Sequence, residues 1–140
     1  MEKGHPNIGW LFPDPTAVAK DYFKRTGFFP IMHVVGIRRE LADKHPWLPG
    51  TMYKALEQAK QAALTKLSDT SATKVTLPFV EERLREARML MGDDFWSYGV
   101  EPNRKVLDYF LAQHHGEGLS SRRVQVDELF HPATYETFKL

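Results

Sequence analysis

Phe28-Phe29-Pro30-Ile31-Met32-His33-Val34-Val35-Gly36-Ile37 is the stretch on which the fold turns. Phe29, Ile31, Met32, Val34, Val35 and Ile37 follow one another with almost no polar break. Strict alternation would mark a half-buried strand; a nearly continuous apolar run marks a strand buried on both faces. Pro30 has no N–H to give to a ladder, so it suits the first residues of such a strand or an edge. A buried strand needs neighbours for its own N–H and C=O groups. The rest of the sequence offers none clearly, because Arg122 to Val126 is short and half polar. Such a strand must pair in a dimer, or with a sheet on polypeptide outside these residues.

Helix signals surround it. Asp14-Pro15 is an N-cap followed by proline at the first helical position, and Gly27 closes that helix after Thr26. Val18, Tyr22 and Phe23 form its apolar side. Arg39 to His45 reads as a short helix stopped by Pro46. Met52, Ala55, Leu56, Ala59, Ala63 and Leu67 recur at helical spacing, which predicts a helix over Thr51 to Leu67. Ser68 to Lys74 is a polar loop, and Pro78 to Met91 a further helix of mixed charge. Pro102 opens a helix through His114 with Val106, Leu107, Phe110 and Leu111 on its apolar face. A last short helix is expected over Val126 to Phe130, ended by Pro132.

The chain has 140 residues, the size of one domain and enough to bury a core. Its 42% hydrophobic and 26% charged residues argue against disorder, collagen and coiled coil. With 19 Lys and Arg against 18 Asp and Glu the net charge is +1, so nothing calls for a nucleic-acid partner. The absence of cysteine excludes disulfides, thiolate metal sites and cysteine nucleophiles. The apolar stretch is too short and interrupted to span a bilayer, so no membrane insertion is expected. Met1 to Pro6 opens no secretory signal.

The order of residues resembles a known family. Leu11-Phe12-Pro13-Asp14, the run from Asp21 through Thr26-Gly27-Phe28-Phe29-Pro30-Ile31-Met32-His33-Val34-Val35, and His45-Pro46-Trp47 are similar to the 4,5-dihydroxyphthalate decarboxylases. Tyr53-Lys54-Ala55, Leu90-Met91-Gly92-Asp93-Asp94-Phe95-Trp96-Ser97-Tyr98-Gly99-Val100, Asn103-Arg104-Lys105, Gly118-Leu119-Ser120 and Glu128-Leu129-Phe130-His131-Pro132 continue the likeness. It runs from about Trp10 to Thr134. The resemblance implies an α/β fold that is mainly helical in this segment. This would be the C-terminal part of a two-lobed fold of the type II periplasmic-binding-protein kind, with an incomplete sheet. Residues 1–140 would form a single segment, with 28–38 as the strand crossing between lobes and 39–134 as helices packing on the first lobe. The partner strands would lie in a missing N-terminal half, the alternative being a homo-oligomer partner.

The activity that the resemblance implies is decarboxylation of 4,5-dihydroxyphthalate, or a related aromatic acid, to protocatechuate and CO2, by this chain as a fragment of a longer enzyme. Such chemistry needs a proton donor near the ring carbon, an acceptor near the hydroxyls and cations for the carboxylate that stays. His33, in the apolar strand at the implied crossover, is the candidate acid/base, since imidazole suits proton transfer near neutral pH. The bland alternative is a buried, hydrogen-bonded histidine that fixes a hinge. Arg104, near a helix start, is a candidate for the carboxylate; pairing with Asp108 on the surface is the favoured alternative. Arg38 or Arg39 faces the cleft or caps the next helix in solvent. Trp96 and Tyr98 stack on the substrate ring or, as is commoner for such clusters, pack in the core.

No metal or cofactor is assigned. His114-His115 are helix neighbours about 100° apart and lack a partner at ligand spacing. His5, His45 and His131 precede prolines and read as turn residues. G-x-S-x-G, P-loop and G-x-G-x-x-G motifs are absent. Two other functions stay open: a solute-binding protein of an ABC-type transporter, and an inactive truncated product. The enzyme goes with the cytoplasm, the binding protein with the periplasm.

Overall fold

The computed structural model describes residues 7–71 and 76–135, and within them the chain is mainly helical. Six α-helices appear among these residues: α1 (Pro15–Thr26), α2 (Arg39–Lys44), α3 (Leu48–Ser68), α4 (Val80–Met91), α5 (Arg104–Gly116) and α6 (Val126–Leu129). Two 3₁₀ turns, Glu101–Asn103 and Pro132–Thr134, precede α5 and follow α6. The expectations at Met1 to Pro6, at His5, and at the end of the Ser68 to Lys74 loop lie outside the described residues.

Local chemistry explains most helix ends. Asp14 Oδ1 accepts the Ala17 N–H at 2.9 Å, satisfying one of the four free donors of the first turn. Gly27 takes the left-handed conformation, φ 75°, and its N–H closes on Phe23 O at 2.7 Å. α3 starts at Leu48, ahead of the expected Thr51, because proline in a first turn forfeits only an N–H that has no partner there. α4 starts at Val80 rather than Pro78, since Phe79 sits in the left-handed region at φ 67°. At α6 a capping box joins Gln125 and Glu128, with Gln125 N–H donating to Glu128 Oε1 at 3.1 Å.

The expected buried strand is not formed. Residues 28–38 are irregular, and there is no strand among the described residues, so the incomplete sheet becomes no sheet at all. Hydrophobicity states what a segment must bury, but a ladder also requires partners, and the described residues supply none. Only the start of the stretch is anchored. Phe28 packs between Tyr22 of α1 and Tyr109 of α5, with ring centroids at 5.8 and 5.5 Å. The Lys105 ammonium, which donates to Thr26 O, lies 5.7 Å from the Phe28 ring. Phe29 meets Trp96 at 5.9 Å. Beyond that, Met32, Val34 and Val35 are 62, 68 and 64% exposed.

The core is correspondingly small. Val100, Leu107, Leu111 and Val126 form its buried cluster, with Val124, Phe130 and Tyr135 packed against it. The Tyr135 hydroxyl ties the end of α6 down by donating to Phe130 O at 3.0 Å and Asp127 O at 3.1 Å. Accessible surface is 11298 Å². A compact monomer of 16.2 kDa exposes about 7,500 Å². Setting aside about 2,500 Å² for the residues outside the described ranges still leaves roughly 1,300 Å² in excess. That excess matches one side of a large permanent interface. No helix among the described residues is long and apolar enough to cross a membrane.

Candidate functional site

The apolar stretch borders a cleft of about 710 Å³. Residues 29–37 form one side; α2, the first half of α3, the 95–100 turn and the segment around His131 form the others. At Gly50 on α3 the His131 segment approaches so that an added Cβ would stand in van der Waals contact, 3.4 Å from Ala133 O.

The aromatic turn is held by Asn103. Its Nδ2 donates to Ser97 O at 3.0 Å and Gly99 O at 2.9 Å, and Ser97 Oγ donates to its Oδ1 at 3.2 Å. Trp96 and Tyr98 are thereby carried to the cleft wall. Trp96 is 43% exposed and also packs on Phe29, so packing and lining coincide in one side chain. Tyr98 is backed by Lys60, whose Nζ lies 4.9 Å from the ring centroid.

Lys60 is the buried cation that hydrophobic periodicity conceals. It is 7% exposed, and its ammonium bonds Glu57 and Asp94, each at 2.9 Å. Burial opposes the charged form, but the hydrogen bonds to Glu57 and Asp94 outweigh it and raise the lysine pKa. Asp94 is thus an ion-pair partner of Lys60. Burial, followed by the nearby Glu57 charge, raises the pKa of Tyr53, whose hydroxyl donates to Tyr98 O at 3.5 Å.

Of the residues expected to act, His33, Trp96 and Tyr98 line the cleft. His33 is exposed rather than buried, and its ring has no hydrogen-bond partner among the described residues, so the hinge-fixing bond is not formed there. Arg38 is the N-cap of α2, where its carbonyl accepts the N–H groups of Leu41 and Ala42 at 3.0 and 3.1 Å; its side chain is exposed and does not line the cleft. The neighbouring Arg39 does line it, and has no ion-pair partner among the described residues.

Arg104 is outside the lining, and its expected partner Asp108 is replaced by two others. Its guanidinium donates to Glu101 Oε1 at 2.5 Å and Oε2 at 3.2 Å, and to Asp127 Oδ1 at 2.9 Å. The hydrogen bonds to Glu101 and then Asp127 push the arginine pKa up, and the hydrogen bond from Arg104 holds that of Glu101 down. The 3₁₀ turn sets Glu101 beside the guanidinium, while Asp127 arrives from α6 through the tertiary fold.

His131 also lines the cleft, which its place before proline does not reveal. It is the turn residue expected: its Nδ1 accepts the Ala133 N–H at 3.2 Å. In the last turn of α5, His114 stacks on Phe110 at 5.7 Å and His115 Nδ1 meets Ser120 O at 3.1 Å. No group of three or more potential metal-binding side chains gathers among the described residues.

No family model matches the chain. Over all of its 140 residues it is 59% identical to the 4,5-dihydroxyphthalate decarboxylase of Comamonas testosteroni, and it spans 42% of that protein's length. The residue order that resembles these decarboxylases is therefore matched along the whole chain by identity to one of them, over less than half of that protein.

Proposed function

We propose that this chain forms part of an enzyme that converts 4,5-dihydroxyphthalate to protocatechuate and CO2. The whole-chain identity of 59% to a decarboxylase of that name carries the proposal. The cleft agrees with it: aromatic walls at Trp96 and Tyr98, an unpaired cation at Arg39 and an open imidazole at His33 suit a flat, dianionic, hydroxylated ring.

The chemistry uses these groups in order. Arg39 holds the carboxylate that stays, in place of the Arg38 or Arg104 contact. Trp96 and Tyr98 keep the ring flat against the turn. The protonated His33 ring gives a proton to the ring carbon bearing the other carboxylate, helped by electron release from the para hydroxyl. The C–C bond to that carboxylate breaks, its electron pair restores the aromatic ring, and CO2 leaves. His33 then regains its proton from solvent, which its exposure permits. One proton is consumed for each CO2 released.

The two-lobed binding-protein-like fold belongs to this proposal. Residues 28–38 would cross between lobes, and residues 39–134 would pack on the first lobe. The apolar surface left open along 31–35 would be covered by strands of the polypeptide that makes up the rest of the decarboxylase. An enzyme of aromatic-acid breakdown goes with the cytoplasm.

The test is turnover. Incubation with 4,5-dihydroxyphthalate should yield CO2 and protocatechuate in equal amounts. Saturable binding without product would favour solute capture for transport, a periplasmic role. Loss of both would favour an inactive product.

A further inference from the structure

The cleft contains a second histidine whose protonation pattern is set by its own backbone. His131 Nδ1 accepts the Ala133 N–H at 3.2 Å, so that nitrogen carries a lone pair. In the neutral ring the proton must then sit on Nε2. A proton on Nδ1 would remove the acceptor, so the capped ring is the neutral one. Nε2 makes no hydrogen bond among the described residues, and His131 lines the cleft. His33 differs, because neither of its nitrogens is committed.

We infer that His131 is a specificity-determining residue: its Nε2–H is a fixed, neutral donor that recognises a ring hydroxyl oxygen of the substrate. The inference rests on the proposed function and deepens it. A neutral donor matches an uncharged oxygen better than it matches a carboxylate, for which the cleft already supplies the Arg39 cation. Because the cap holds the tautomer, the donor needs no reorganisation when ligand arrives. The site would thereby separate hydroxylated phthalates from phthalate itself.

His131→Asn separates the cap from the donor. An asparagine Oδ1 still accepts the Ala133 N–H, as short polar N-cap residues do, but the imidazole donor is gone. Dissociation constants of 4,5-dihydroxyphthalate and of unsubstituted phthalate should be measured by calorimetry on the full chain and on the variant, with circular dichroism to check that the helices are retained. The variant should bind 4,5-dihydroxyphthalate about tenfold more weakly while phthalate affinity changes less than about twofold. His131→Phe, which keeps the ring shape, should lose the same discrimination. Unchanged discrimination in both variants, with wild-type binding intact, would overturn this inference alone. Failure of the wild-type chain to bind 4,5-dihydroxyphthalate would overturn the proposed function and this inference together.

Discussion

His33→Ala should lower kcat for CO2 release from 4,5-dihydroxyphthalate by about a hundredfold or more, the ordinary contribution of a positioned general acid. The effect should fall on kcat rather than KM. In the proposed mechanism Arg39, Trp96 and Tyr98 hold the ring and the retained carboxylate, while His33 supplies the proton. Folding should be unaffected, because the ring is exposed and no hydrogen bond among the described residues depends on it. Steady-state kinetics on the variant, with thermal unfolding as a control, separate the two effects. Near wild-type turnover would remove His33 from the mechanism.

The second large effect is on stability. Lys60→Met should destabilise the chain by about 2–3 kcal/mol, the range for losing a hydrogen-bonded charge partner in a largely buried site. The methionine fills much of the stem's volume, so the loss is electrostatic rather than a cavity. Glu57, with a side chain only 17% exposed, is left without its counter-ion, whereas Asp94 is 58% exposed and recovers water. The ammonium also leaves the Tyr98 ring, loosening the aromatic wall of the cleft. The pH dependence has a definite sign. Because the folded-state pKa of Lys60 is raised, its contribution is complete below the ordinary lysine value of 10.5 and is lost only as pH climbs through the higher folded value. Urea unfolding of both proteins at neutral pH should show the full difference, which should shrink in strong alkali. A difference below about 0.5 kcal/mol at neutral pH would show that Lys60 acts as an ordinary surface charge.

The helices were legible because their ends are local events. Asp14-Pro15 with Gly27, the stop at Pro46 and the helix opened after Pro102 depend on residues within a turn of one another. The stretch at 28–37 was legible only in its demand for burial. The described residues offer it no strand to pair with, and the aromatic clamp on Phe28 comes from α1 next to it and from α5, distant in sequence. The same division holds at the cleft. His33, Trp96 and Tyr98 stand out by their surroundings in the chain. Arg39, the first residue of α2, lines the cleft, and Arg38, its N-cap, does not. Asp127 meets Arg104, and Asp94 meets Lys60, through tertiary packing that no local spacing encodes. His131 looked like a turn residue and is one; its second place, in the cleft wall, follows from the approach of Ala133 to Gly50.

The central proposal is that the cleft of this chain belongs to a decarboxylase whose remaining parts lie on polypeptide it does not cover. Complementation measures it directly. The chain would be expressed together with the portion of the Comamonas testosteroni decarboxylase outside the matched 42%, and 4,5-dihydroxyphthalate carrying ¹³C-labelled carboxylates would be supplied. The pair should form a stable complex that releases labelled CO2 and protocatechuate in a one-to-one ratio, at a rate neither part reaches alone. A stable complex that binds the substrate and releases no CO2, or two parts that never associate, would contradict the account.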